Sequence, residues 1–182
     1  MAGGAGRVLQ WAGQRARRDV RAAVSAPYPG IVLVLRSDLA AEIVAHARRD
    51  HPDEACGVVA GPEGSDRPER VIAMANAERS PTFYRFDSAE QLRVWREMDA
   101  AGEVPVVIYH SHTATEAYPS RTDIGLAAEP DAHYVLVSTR EQATDELRSY
   151  RIIDGVVTEE PVEVVESYMF AHTGADDVPD RG

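Results

Sequence analysis

The chain has 182 residues, 44% of them hydrophobic, and 30 acidic against 19 basic side chains give a net charge of −11. That length supports one domain with a sizeable core rather than two, and the charge excludes nucleic-acid binding through a broad basic surface. No apolar run reaches the roughly 18 to 20 residues of a membrane span, and the lone cysteine, Cys56, excludes an internal disulfide and fits a reducing cytoplasm.

In chain order, residues 1–29 read as a basic arm, disordered or loosely helical. Its arginines (Arg7, Arg15, Arg17, Arg18 and Arg21) are followed by no apolar block, which argues against a secretory signal, and it ends at the breaker cluster PYPG. Val32 to Leu35 is a short strand. Ser37 is expected to cap a helix of about 13 residues that buries Leu39, Ile43 and Ala47 and stops at His51-Pro52. CGVVAG (56–61) and RVIAMAN (70–76) read as a hairpin across GPEGSD, and FYRF (83–86) as another short strand. Ser88 with Gln91 forms a capping box for a helix lined inside by Leu92, Trp95 and Met98 and ended by Gly102. PVVIYHSH (105–112) is a central strand with a polar end, and 120–128 a short helix. HYVLVS, LRSYRII and VVTEEPVEVV add three strands, the last two joined by a type I′ turn at Asp154-Gly155. An acidic disordered tail follows at 167–182. The expected architecture is a single mixed-sheet α/β domain over 30–166.

The stretch YHSHTATEAYPSRTD (109–123) concentrates the chemistry. Alternation along a strand points His110 and His112 the same way and Ser111 the other. Seven residues later Ser120 starts a helix, and Asp123 in its first turn can project back over the strand end. Two imidazoles and a carboxylate then leave a fourth position open for water, the pattern of a catalytic zinc site. The alternative is that the histidines decorate a surface and that Ser120 and Asp123 merely cap a helix. Such a site also needs a base. Glu54, in HPDEACG between the first helix and a buried strand, is the candidate; the adjacent Asp53 faces the opposite way on a strand. Cys56 reads as a small core residue, with a thiolate ligand or redox switch as the lesser reading, and His133 reads as a surface or lightly hydrogen-bonded residue at the start of a strand. His46, His51 and His172 join no constellation. Tyr118 and Glu116 lie in the loop over the proposed ion, where they meet either substrate or solvent.

Glu54 followed by His110-Ser111-His112, seven residues, Ser120, two residues and Asp123 resembles the JAMM motif of the MPN+ metallopeptidases, which remove ubiquitin and ubiquitin-like proteins. The resemblance spans roughly residues 33 to 165 and implies a cytidine-deaminase-like fold. It implies Zn2+ held by His110, His112 and Asp123, Glu54 as general base, and Ser120 as hydrogen-bond donor to the oxyanion. The compact HPDEACGVVAG opening and the TFYRFD-then-helix segment are similar to small prokaryotic members. Actinobacterial members of this kind release cysteine from the C-terminus of a ubiquitin-fold sulfur-carrier protein. Two features depart from the shared pattern: Thr113 stands where members commonly have proline, and residues 1–29 lie outside it. The expectation is therefore a cytoplasmic zinc peptidase whose partner is a ubiquitin-like sulfur carrier with a flexible tail. Rival readings are an isopeptidase that frees a lysine side chain, a non-catalytic MPN scaffold, and a small-molecule deaminase. Scaffold members characteristically lack motif residues that this chain has. The deaminases' H-x-E and P-C-x-x-C signature is absent here.

Overall fold

The computed structural model describes residues 32–140 and 146–168. The expected arm at 1–29 lies outside these, as does the expected tail apart from Ser167 and Tyr168. Tyr168 packs back onto the domain, its hydroxyl donating to the Pro68 carbonyl.

Eight strands and three helices follow one another: β1 (Leu33–Arg36), α1 (Ser37–Asp50), β2 (Cys56–Pro62), β3 (Arg70–Met74), α2 (Ser88–Ala101), β4 (Glu103–His112), α3 (Arg121–Leu126), β5 (His133–Ser138), β6 (Glu146–Ile153), β7 (Val156–Glu160) and β8 (Val162–Val165). A six-stranded sheet runs β3-β2-β4-β5-β6-β7, and β1 pairs with β8 in a separate two-stranded parallel sheet. Within the large sheet β4 and β5 are parallel, whereas β2–β3, β2–β4, β5–β6 and β6–β7 are antiparallel. The expected mixed-sheet α/β class is the observed one.

Successive residues of the central strands enter two cores, as alternation requires. Val59, Val107 and Val135 pack with Leu39, Ile43 and Ala47 of α1. Their neighbours Val58, Ile108 and Leu136 pack with Val94 and Met98 of α2. The sheet is therefore covered on both faces, and the apolar continuity of β2, β4 and β5 follows from that. Gly57 sits where a methyl group would lie 2.5 Å from both the Tyr109 hydroxyl and the Ile72 carbonyl oxygen. The absent side chain makes room for Tyr109, whose hydroxyl reaches His46 Nδ1 at 2.7 Å.

Several local expectations are corrected. β1 runs directly into α1, so the N-cap position falls on Arg36 with no side-chain cap, and Ser37 is already helical. Asp87, one residue before the expected Ser88, caps α2 by accepting from the backbone N–H of Ala89 and Glu90. A carboxylate is the stronger acceptor there. Leu92 is 53% exposed, because the buried stripe of α2 runs through Val94 and Met98. FYRF makes only an isolated bridge, Phe86 to Asn76. VVTEEPVEVV is two strands: Pro161 has no N–H to extend the ladder, and the chain leaves β7 to join β1. The helix at 120–128 is shorter, at 121–126. His133 is buried rather than at the surface. The hairpin turn is as expected, with positive φ at both Asp154 and Gly155.

Candidate metal centre and active site

β4 and β5 run parallel, and His112 sits opposite Ser138, so the C-terminal ends of the two strands open together. Ligand sites in open α/β sheets favour such an edge. His110 and His112 continue the face of Ile108, and both are buried. The connection that follows is pinned at three points. The Glu116 carbonyl accepts from His112 Nδ1 at 2.9 Å, Thr115 O accepts from Ser138 Oγ at 2.6 Å, and Ala117 O accepts from Tyr150 Oη at 2.6 Å. These bonds return the chain over the strand end and deliver α3.

Ser120 caps α3 with a full capping box: its Oγ accepts from Asp123 N at 3.2 Å, and Asp123 Oδ2 accepts from Ser120 N at 2.6 Å. That same Oδ2 lies 3.4 Å from His110 Nε2 and 3.3 Å from His112 Nε2, and the two ring nitrogens are 3.2 Å apart. Capping and convergence on the histidines, weighed as alternatives on the sequence, are both true of Asp123. His112 donates through Nδ1, so its Nε2 carries a lone pair inward. His110 is held by stacking on Tyr84, with ring centroids 4.4 Å apart. An ion with tetrahedral bonds of about 2.0–2.1 Å needs ligand atoms about 3.3–3.4 Å apart, and the three separations meet that requirement. The residues present therefore fit one small divalent cation.

The electrostatics agree. Burial would raise the Asp123 carboxyl, but the adjoining imidazoles of His110 and His112 outweigh it and hold the group far below the ordinary range. Burial lowers His110. For His112 burial acts in the same direction, but contact with Asp123 and with the Glu116 carbonyl reverses the outcome and raises it.

Glu54 is 5% exposed and precedes β2. Burial pushes its carboxyl up to about 7, with His112 opposing and Asp123 adding to the shift. Its backbone is clamped on both sides. Its N–H donates to Ser80 O at 2.9 Å, and its carbonyl accepts from Asn76 Nδ2 at 2.9 Å. The next residue is gripped by β4: Ala55 N donates to Ser111 Oγ, and Ser111 N to Ala55 O, each at 2.9 Å. Ser111, between the two histidines but facing the other core, thus fixes where Glu54 stands.

Among the described residues His110, His112 and Asp123 form a cluster able to hold a metal ion. Cys56 is not part of it. It is fully buried, its thiol faces Met74 O at 3.7 Å, and burial pushes it up to about 12, far from a thiolate. Tyr118 is half exposed and packs edge-on against Tyr150. Sequence reasoning missed Asn76, Ser80 and Tyr84. All three lie between β3 and α2, where Asn76 and Tyr84 read only as positions on expected strands, and nothing local marks any of the three as a neighbour of Glu54 or His110.

Comparison with known proteins shows the family. The model for prokaryotic homologs of the JAB domain matches residues 36–153. A CysO-cysteine peptidase of Mycobacterium tuberculosis is 79% identical over 137 residues, 75% of this chain and 94% of the relative. A desampylase of Haloferax volcanii is 32% identical over 111 residues, 58% of this chain and 80% of that protein. Among solved structures, a protein of Desulfitobacterium hafniense has a TM-score of 0.66 at 34% identity, covering 75% of this chain and 94% of its own. The chain belongs to the prokaryotic branch of the JAB domain family.

Proposed function

We propose that the chain is a zinc-dependent metallopeptidase that hydrolyses the peptide bond following the C-terminal tail of a ubiquitin-like sulfur-carrier protein and releases cysteine. The observation that carries this reading is the convergence of His110 Nε2, His112 Nε2 and Asp123 Oδ2 beside a buried Glu54. The activity of the 79% identical relative, a CysO-cysteine peptidase, supports the substrate.

His110, His112 and Asp123 would hold the ion, which when bound supplies Lewis acidity and lowers the pKa of water to about 7. Glu54 takes a proton from the attacking water and returns it to the leaving amine, a shuttle that needs a carboxyl poised near neutrality. Ser120 keeps its hydroxyl proton available, because its oxygen accepts from Asp123 N. That proton is donated to the oxyanion of the tetrahedral intermediate. An extended carrier tail can reach the scissile position by adding along an exposed strand edge. We place the chain in the cytoplasm, in keeping with its lone buried cysteine, and read the catalytic domain as residues 30–166. No helix among the described residues is long and apolar enough to cross a membrane.

A second reading, removal of a ubiquitin-like modifier from lysine, is favoured by the names of two other relatives, the desampylase and a probable TtuB-protein conjugate cleaving protease of Thermus thermophilus. Incubation with a ubiquitin-fold carrier ending in cysteine, and separately with a carrier–lysine isopeptide conjugate, tests both by intact mass. Loss of one cysteine mass, blocked by a chelator, is the expected result. Cleavage of the isopeptide alone selects the second reading, and cleavage of neither removes both.

A further inference from the structure

Resting on the proposed cysteine release, the loop that clamps Glu54 gives a basis for choosing between leaving groups. Glu54 returns its proton to the departing amine, so the departing residue lies on the Glu54 side of the scissile bond. The loop 76–86 is bonded to the Glu54 backbone at both its N–H and its carbonyl, so it borders that region. It is organised by Asn76, whose side chain uses all its hydrogen-bonding capacity. Asn76 Nδ2 donates to Glu54 O at 2.9 Å and Phe83 O at 3.0 Å, and its Oδ1 accepts from Glu78 N at 3.1 Å and Arg85 N at 3.2 Å. Thr113, next to His112, donates to Pro81 O at 2.8 Å, so the loop is tied to the ligand strand as well.

Arg79 stands on this loop, immediately before Ser80, with its backbone in the left-handed region at φ 44°. A non-glycine residue there is uncommon, and such positions collect at functional sites. Its side chain is exposed, and among the described residues no carboxylate pairs with it. The neighbouring Glu78 is engaged with Arg85 instead. We infer that Arg79 is a specificity-determining residue whose guanidinium recognises the free α-carboxylate of the amino acid being released. In a free amino acid that carboxylate is two bonds from the leaving nitrogen, and arginine matches its planar geometry. A lysine side chain leaving from a protein presents no anion at that position, so Arg79 favours removal of a terminal residue over isopeptide cleavage.

The test uses two substrates: a ubiquitin-fold carrier ending in cysteine, and the same carrier ending in cysteinamide. Wild type is expected to prefer the free acid. Arg79→Asn suits the left-handed backbone but lacks the charge. It raises KM for the acid about 10- to 100-fold, the size of one charge-assisted hydrogen-bonded pair, with kcat little changed. It leaves the amide unaffected, and Arg79→Lys recovers part of the preference. Arg96→Ala, which removes the same charge from α2, leaves the acid-to-amide ratio as in wild type. The inference is overturned by a wild type that treats acid and amide alike, or by an Arg79→Asn protein of unchanged melting temperature that keeps the preference. If wild type cleaves neither substrate, it is the proposed activity that has failed, and the role of Arg79 falls with it.

Discussion

Two buried histidine–carboxylate groups occupy opposite ends of the large sheet. At the start of β5, His133 Nδ1 lies 2.5 Å from Glu160 Oε1, which also accepts from Ser149 Oγ at 2.7 Å. Arg151 Nη2 reaches His133 Nε2 at 3.0 Å, and its Nε faces Glu160 Oε2 at 3.5 Å. One guanidinium meets one carboxylate, and the imidazole of His133 lies between them within hydrogen-bond distance of both. At the end of β4 a carboxylate oxygen and two ring nitrogens face one another, with a second acid, Glu54, close by. Both groups are costly to bury. The first closes on itself and reads as structure, tying β5, β6 and β7 together. The second leaves a surplus of acceptors aimed at one point, which only a cation or a bound proton can relieve.

Mutations separate the two ends. His110→Ala is expected to have the largest effect, with loss of bound zinc by metal analysis and loss of turnover together. Glu54→Gln lowers kcat about 10²–10⁴-fold while zinc stays near one per chain; retained activity would remove Glu54 from the mechanism. Ser120→Ala lowers kcat about 10²–10³-fold through the lost oxyanion donor. Glu160→Gln spares the chemistry of the folded enzyme but destabilises it by about 3–5 kcal/mol in urea unfolding, because Arg151 loses its buried partner. A sharper version of that comparison varies pH. Burial pushes Glu160 up, but hydrogen bonds from His133 and Ser149 outweigh it and hold the carboxyl below its ordinary value. Its contribution is complete above the ordinary glutamate pKa of about 4.3 and is lost as pH falls through the lower folded value. The stability gap between wild type and Glu160→Gln should therefore narrow toward acid; a gap that stays constant would mean that the charge of Glu160 is irrelevant.

The elements set by alternation and helical periodicity were legible in the sequence, because each depends on a few adjacent residues. The convergence of His110, His112 and Asp123 was legible for the same reason: a strand's two-residue period, a seven-residue return and a helix start confine the geometry. What escaped depends on partners distant in the chain. Asn76 meets Glu54 across 22 positions, and His133 meets Glu160 across 27. Nothing beside either residue announces its partner. Pro161 is a different case. The expected strand VVTEEPVEVV ran through it, but its missing N–H ends β7, and the chain leaves to pair with β1, where Val162 joins Leu33 and Leu35 in the core against α1.

The shortest helix carries the last consequence. α3 spans six residues and fully buries none of them, with Ile124 alone of the six packed against the core. One carboxylate oxygen, that of Asp123, adds to this by completing the first turn while leaning on two imidazoles. The third arm of the chelate is thus preorganised: an arriving ion meets a finished claw rather than a strand awaiting its loop, and its affinity is not diminished by freezing that segment.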